Sequence, residues 1–177
     1  YRQYLFKTFY TFEKQKGQRL IKKPGEIEGQ PFALNELEDC EVLLLDHAEQ
    51  ITVDQLKKCK VFIGPSCESV FFRNCEDCDV FVACKQLRCR DCHRCNISLF
   101  SLSEPVVETS SHIAFSPFGG SYAGLAKSFQ VRPRLWRISH VRSLSASVEQ
   151  HFLLFLWCAT VRVFLSLRSP LFFDAFL

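Results

Sequence analysis

A pattern of apolar residues occurs four times along the chain at nearly equal intervals of 19, 19 and 17 residues. The four copies are Leu37-x-x-Cys40-x-Val42, Leu56-x-x-Cys59-x-Val61, Cys75-x-x-Cys78-x-Val80 and Cys92-x-x-Cys95-x-Ile97. A fixed period of this length, carried by β-branched and aromatic residues, is typical of a solenoid whose coils stack strand on strand. The repeat therefore predicts an all-β fold, a parallel β-helix with coils of about 19 residues.

The cysteines of the repeat resemble a metal site at first inspection. Six of the ten cysteines lie between residues 75 and 95, as two C-x-x-C pairs beside a histidine. Two of the four copies, however, carry leucine where the other two carry cysteine, and leucine cannot bind a metal. The repeat therefore favours cysteine as a small apolar core residue. Structural zinc and disulfides are the less favoured alternatives. We predict one interior column that binds no metal, formed by Cys40, Cys59, Cys78 and Cys95.

The repeat also assigns side chains to the two faces of each strand, because successive side chains on a strand point to opposite sides. Aligned copies predict three inward sets, Ile51 with Val70 and Leu87, Val53 with Phe72 and Cys89, and Leu56 with Cys75 and Cys92. The residues between them are predicted to face solvent in two columns, Thr52 with Phe71 and Arg88, and Asp54 with Arg73 and Arg90. Arg88 is therefore expected to point outward from a rigid strand.

Composition divides the chain into three regions. Residues 1–29 mix aromatic residues with lysines, and we expect a lead-in that caps the open end of the solenoid but is not itself a coil. Residues 30–129 are the predicted β-helix, with corners at Gly64-Pro65 and Glu104-Pro105 and a helix that begins within residues 123–129. Residues 130–177 are an extension of unknown fold. Its apolar run at 152–167 contains Arg162 and is shorter than the roughly 20 residues that span a bilayer.

Composition also limits the function classes. The 177 residues are 47% apolar, enough for one folded domain with extensions. The net charge of +3, without a long Lys/Arg block, does not favour nucleic acid. Cysteines at core positions and the lack of a signal peptide indicate a reducing, intracellular compartment. Because the chain starts at Tyr1 and contains no methionine, we expect the native start, with any acylation signal, to lie upstream.

Several short motifs occur together between residues 24 and 129. They are Gly29-Gln30, Asp46-His47, Thr52-Val53-Asp54, Gly64-Pro65, Ser69-Val70-Phe71-Phe72-Arg73-Asn74-Cys75, Ala83-Cys84, Gln86-Leu87-Arg88, Arg90-Asp91-Cys92 and Glu108-Thr109-Ser110-Ser111. Together they resemble the C-CAP/cofactor C-like domain family, shared by tubulin-folding cofactor C and the retinitis pigmentosa 2 protein, and they look more like the second branch. The resemblance implies a right-handed parallel β-helix that acts as a GTPase-activating protein, for Arf-like small GTPases in one branch and for tubulin in the other.

The resemblance also implies a site. The family's arginine finger lies in a Gln-Gln-aromatic/Leu-Arg motif, which matches residues 85–88 and makes Arg88 the expected catalytic residue. Lys85 replaces the first glutamine, so a role for that side chain does not carry over. Arg73 and Arg90 are expected to form ion pairs with Asp54, Asp91 or Glu76 rather than to touch nucleotide. The expected GTPase-binding residues are Lys85, Gln86, Phe71, Arg73, Arg90 and Glu108.

The expected function is therefore stimulation of GTP hydrolysis in trans rather than an enzyme with its own substrate pocket. The chain has no G-x-x-x-x-G-K loop, so GTP and Mg²⁺ are expected to belong to the partner, with no cofactor or metal of its own. The alternative is a non-catalytic scaffold or effector, or an adaptor in tubulin folding or ciliary trafficking. Expected partners are an Arf-like small GTPase or tubulin, without nucleic acid, and with membrane only through a lipid anchor. The expected location is the cytoplasm, including the cytoskeleton, the cilium or basal body, and the membrane periphery.

Overall fold

The computed structural model describes residues 8–130, so predictions for residues 1–7 of the lead-in and for residues 131–177, including the apolar run at 152–167, lie outside the described residues. The elements follow one another in chain order. They are β1 (Thr11–Lys16), β2 (Arg19–Lys22), β3 (Phe32–Glu38), β4 (Glu41–Leu44), β5 (Ile51–Lys57), β6 (Lys60–Arg73), β7 (Asp79–Arg90), β8 (His93–Ser101), β9 (Val106–Glu108), β10 (Ser111–Pro117) and helix α1 (Leu125–Gln130).

The strands stack in parallel, in the order β1-β3-β5-β6-β7-β8-β10, with β2, β4 and β6 stacked as a second series. The long strands β6 and β7 bend, so that their two halves contribute to different sides of the coil, and the register shifts beside Gly64-Pro65 mark the corner. The predicted inward sets that begin at Ile51 and Val53 are in register and buried, and the members of the set that begins at Leu56 are buried as well. The parallel β-helix is confirmed. Each fully buried aliphatic side chain contributes about 2 kcal/mol to holding the coils together.

The interior position of the predicted cysteine column is also confirmed. Its four members are buried, and each thiol lies 3.2–3.4 Å from the carbonyl oxygen two residues earlier. A thiol that donates to a carbonyl is protonated, whereas a metal ligand is a thiolate. Burial raises the pKa of Cys84 to about 12, which likewise favours the neutral thiol. Within residues 8–130, His, Cys, Asp and Glu side chains form no group of three or more that could hold a metal ion.

We predict that the purified protein contains no stoichiometric zinc and that a chelator leaves its thermal unfolding midpoint unchanged. The nine buried cysteines should react with a thiol reagent only as the protein unfolds. Elemental analysis, circular dichroism with and without chelator, and timed thiol labelling measure these outcomes. About one zinc per chain, lost together with the fold on chelation, would instead show that the cysteines are ligands.

The N-terminal region differs from the expectation, because residues 11–22 form a coil of their own. Strand β1 pairs in parallel with β3, and β2 pairs with β4. The ring of Phe12 packs edge-on against Phe32 with centroids 5.2 Å apart. The lead-in prediction is therefore wrong for residues 11–22. Gln15 is exposed and in register with Leu37. Because Gln15 is polar where the other copies have leucine or cysteine, the first coil does not show the repeat in its sequence.

A buried carboxylate fastens the turn between this first coil and the second. One oxygen of Asp46 accepts hydrogen bonds from the backbone N–H groups of Gly25, Ile27 and Glu28 at 3.0, 2.9 and 2.8 Å. The other oxygen accepts from the His47 N–H at 2.9 Å. Burial alone would raise the pKa of Asp46, but the hydrogen bonds to its charged form outweigh burial and hold the pKa below its ordinary value.

Asp46→Asn is expected to lower the free energy of unfolding by about 2 kcal/mol near neutral pH, because the amide cannot accept all four hydrogen bonds. A carboxylate with a lowered folded-state pKa stabilises fully above its ordinary value of 3.8 and loses that effect as the pH falls through the folded pKa. The difference between wild type and variant should therefore shrink below about pH 4. Urea unfolding near neutral pH and below about pH 4 measures the difference in free energy of unfolding. A difference that does not change with pH would contradict the role of the ionised Asp46 carboxylate.

The segment 118–130 folds back over the outer face of the sheet formed by β4, β8 and the first halves of β6 and β7. The outward ring of Phe62 packs against Phe118 and Tyr122 with centroids 6.0 and 5.6 Å away. Gly120 sits so close that a Cβ would collide with the Phe62 ring. The helix expected within residues 123–129 is confirmed as α1. No helix among residues 8–130 is long and apolar enough to cross a membrane.

Candidate functional site

Opposite charges alternate along two of the outward columns that cross the coils. Opposite charges in neighbouring strands favour one register, although each exposed pair contributes little by itself. Lys16 Nζ lies 2.9 Å from Glu38, and Arg19 Nε lies 2.9 Å from Glu41. The two clearest columns are Lys16, Glu38, Lys57 and Glu76, and Arg19, Glu41, Lys60 and Asp79.

The alternation breaks on one face, which we call the arginine face. Two arginines, Arg73 and Arg90, are direct neighbours in consecutive coils, and Arg88 lies in the adjacent column. Like charges side by side destabilise a sheet, so the placement of Arg73 next to Arg90 does not by itself stabilise the fold. A concentration of positive charge on a rigid surface suits an anionic ligand such as phosphate. The face consists of Thr52, Phe71, Arg88 and Val106 in one column and Asp54, Arg73, Arg90 and Glu108 in the next.

Arg88 is exposed on β7 between the buried Leu87 and Cys89. This placement confirms that it points outward. Among the residues that the structure describes, no carboxylate lies within ion-pair distance of its guanidinium group. The carbon of that group lies 5.6 Å from the ring centroid of Phe71. Arg88 therefore keeps its charge and its N–H donors open to a ligand.

The other two arginines of the face have carboxylate partners. Arg73 Nη2 lies 3.1 Å from Asp54 Oδ2, and Arg90 Nε lies 3.5 Å from Asp91 Oδ2. The ion pairs expected for these residues are therefore present. Sequence reasoning missed Asn74, whose side-chain amide donates to Asp54 Oδ1 at 2.9 Å and so fixes the carboxylate that holds Arg73. The available signal was its position next to Arg73 at a corner, where its φ is 52° and asparagine is favoured.

The remaining predicted residues are only partly brought together. Glu108 is exposed beside Arg90, in the arginine face. Gln86 is half-buried, and by strand alternation it lies on the same side as Arg88. Lys85 lies in the bend of β7, where its Nζ is 2.8 Å from Glu68 Oε2. The charge of Lys85 is thus matched outside the arginine face.

The chain was compared with known proteins. Residues 29–144 match the family model described as "Tubulin binding cofactor C", so the match continues beyond residue 129, where the sequence resemblance was expected to end. Tubulin-specific chaperone C of Mus musculus is 34% identical over 119 residues, which is 67% of this chain and 35% of that protein. Protein XRP2 of Gallus gallus is 39% identical over 121 residues, 68% of this chain and 34% of that protein.

The XRP2 protein of Xenopus laevis is 40% identical over 121 residues, again 68% of this chain and 34% of that protein. The chain thus spans about a third of the length of the curated relatives it matches. The solved structure of Tubulin Binding Cofactor C from Leishmania major aligns with a TM-score of 0.49 at 20% identity, over 76% of this chain and 73% of that one.

The charge pattern predicts that neutralising Arg94 and neutralising Arg88 affect the stability of the protein differently. Arg94 is bound by Asp77, whose Oδ1 lies 2.7 Å from its Nε, and also contacts Glu76, so Arg94→Gln should lower the urea midpoint. Arg88→Gln should leave the midpoint unchanged or slightly higher, because it removes a like charge and no ion pair. Parallel urea unfolding of the two variants measures this. A clear loss of stability in Arg88→Gln alone would show that Arg88 is a structural residue.

Proposed function

Because the chain belongs to the tubulin binding cofactor C family, we propose that it is a GTPase-activating protein that supplies Arg88 in trans to an Arf-like small GTPase or to tubulin. One observation carries the proposal. Arg88 projects from a rigid strand into solvent, without a carboxylate partner among residues 8–130, beside two further arginines. An arginine in this state can enter the nucleotide site of another protein.

Hydrolysis of GTP is accelerated by a positive charge beside the γ-phosphoryl group. During hydrolysis of GTP, charge develops on the oxygens around the γ-phosphoryl group, and a guanidinium group offsets it. Arginine suits this role because its planar group stays charged and donates to two oxygens at once. Such a finger contributes roughly 10³ to 10⁵ in rate, or about 4 to 7 kcal/mol of the barrier. GTP and Mg²⁺ would be held by the partner.

The strand makes the arginine effective by holding its backbone in advance. Leu87 and Cys89, on either side of Arg88, are buried in the core, and β6 and β9 pair with β7 on its two edges. Little conformational entropy is therefore lost in this segment when the partner binds. Glu108 lies opposite Arg90, and Gln86 precedes Arg88 by two residues on β7, so both are expected to contact the partner near the nucleotide.

Two observations favour two different partners. The name of the tubulin-specific chaperone C relatives favours tubulin, while the resemblance of the Phe71-Phe72-Arg73-Asn74-Cys75 motif favours an Arf-like small GTPase. Both hold GTP, so the same arginine chemistry serves either. We give priority to the Arf-like GTPase, because identity to the XRP2 relatives, at 36–40%, exceeds the 31–34% to the chaperone C relatives.

A binding scaffold without catalytic effect is the second candidate, and Lys85 is the observation that favours it. Where the family motif begins with glutamine, this chain has a lysine whose Nζ is 2.8 Å from Glu68. If stimulation required an amide at this position, the protein would bind its partner and leave hydrolysis unchanged. In that case wild type would bind a GTP-loaded partner without accelerating turnover, and Lys85→Gln would restore acceleration.

Arg88→Ala is expected to abolish stimulation of single-turnover GTP hydrolysis at saturating protein, while thermal stability and most partner binding are retained. The interaction forms mainly in the transition state, so its loss lowers turnover more than affinity. Arg88→Lys should rescue little, because an ammonium group lacks the two-oxygen geometry. The assay uses an Arf-like GTPase and, separately, tubulin.

Arg94→Ala is the matched control, since it removes another exposed arginine from a different column and should stimulate like wild type. Stimulation by Arg88→Ala equal to wild type would mean that another residue is the finger. Binding by wild type with no stimulation of any of these partners would favour the scaffold.

A further inference from the structure

Phe71 contacts two arginines at once. Its ring centroid lies 5.5 Å from the guanidinium carbon of Arg73 and 5.6 Å from that of Arg88. The two arginines reach the ring from different strands, since Arg73 follows two residues later on β6 and Arg88 is the register partner of Phe71 on β7. A cation within about 6 Å of an aromatic ring is attracted by the electron density of its face.

The two contacts are not equivalent. Arg73 is held independently by Asp54, and Asp54 is held in turn by Asn74 at 2.9 Å. Arg88 has no such carboxylate among the described residues, and its guanidinium carbon lies 5.6 Å from the centroid of the Phe71 ring. Arg73 thus stays in place without the ring, whereas Arg88 depends on the ring for its orientation.

An aromatic ring suits a finger better than a carboxylate does. A carboxylate would compensate the positive charge and occupy the N–H donors, and the ion pair would have to break before the arginine reached a phosphate. A ring attracts the cation while leaving its charge and in-plane donors open. The contact is weak enough for the guanidinium group to exchange it for phosphate oxygens. It is also strong enough to restrict the number of rotamers that the Arg88 side chain samples before the partner binds.

We propose that Phe71 is a positioning residue, which orients the Arg88 guanidinium by a cation–π contact before the partner binds. This inference rests on the proposed function where it concerns GTP hydrolysis, but the contact itself exists in the free protein. It differs from the role that the sequence resemblance implies, in which Phe71 binds the GTPase directly. Direct binding would appear in affinity, whereas positioning appears in turnover.

The contact is tested first in the free protein by ¹⁵N relaxation of the Arg88 Nε–H group, assigned by its loss in Arg88→Lys. Wild type and Phe71→Tyr should show a shifted, ordered signal. Phe71→Leu, which keeps an apolar side chain without a ring, should show a more mobile signal with a random-coil shift. Circular dichroism and thermal unfolding report whether each variant is folded. An Arg88 signal equally ordered in folded Phe71→Leu would overturn the inference.

Kinetics with the partner then separate positioning from binding. In single-turnover assays over a range of protein concentrations, Phe71→Leu should lower the saturating rate about twofold to fivefold, the effect of one exposed cation–π contact. The concentration for half-maximal stimulation should stay within about twofold. Phe71→Tyr should restore the rate. The matched control is Phe100→Leu, the same change in a half-buried ring that packs against Phe129, and it should leave both parameters unchanged.

A raised half-maximal concentration with an unchanged saturating rate would overturn positioning and support direct contact. The two proposals fail separately. If wild type stimulates no partner, the proposed function is wrong, and the relaxation measurement alone decides whether Phe71 orients Arg88. If wild type stimulates and Phe71→Leu matches it in both parameters, the finger stands and the role of Phe71 is wrong.

Discussion

In-register stacking of successive coils is the constraint on which the rest of this structure depends. Buried columns, such as Ile51 with Val70 and Leu87, fix how far each strand is shifted against the next. A slip of one residue would turn every buried side chain to solvent. Once the register is fixed, so is the direction of each intervening residue. The outward position of Arg88 is thus a consequence of the core beneath it, since its neighbours Leu87 and Cys89 must face inward.

The outer surface uses charge in two ways. Where opposite charges alternate, as from Lys16 to Glu76, the columns support the register that the core selects. On the arginine face, Arg73 and Arg90 are neighbours and Arg88 has no carboxylate partner in the described part of the chain. Local rules that hold elsewhere in a fold and fail at one place commonly mark a functional site. That contrast within one molecule is independent of the family to which the chain belongs.

The repeat allowed much of the fold and of its outer surface to be predicted from sequence. The fold, the cysteine column and the two outward columns follow from a single period, because a parallel stack converts sequence spacing into lateral contact. The first coil escaped prediction because Gln15 replaces the apolar residue at an exposed position. The covering of Phe62 by residues 118–130 was also missed. In the run Val61-Phe62-Ile63 both faces of the strand are apolar, so alternation cannot show which side chains face outward.

The site was predicted less completely than the fold. The repeat predicted that Arg88 points outward and that Arg73 has a carboxylate partner. It could not show which arginine lacks a carboxylate partner. That distinction depends on side-chain geometry across neighbouring coils, such as the 3.1 Å between Arg73 and Asp54 and the 5.6 Å between Arg88 and Phe71. Lys85 presents the same problem, because only the structure shows its charge matched by Glu68.

The most direct test of the central claim is the affinity of wild type and Arg88→Ala for an Arf-like GTPase loaded with GDP and aluminium fluoride, compared with GDP alone. Aluminium fluoride mimics the transferring phosphoryl group, so a residue that acts in the transition state binds this form preferentially. The account predicts that wild type binds the aluminium fluoride form at least about tenfold more tightly than the GDP form, and that Arg88→Ala loses this preference. Equal preference in wild type and Arg88→Ala would contradict it.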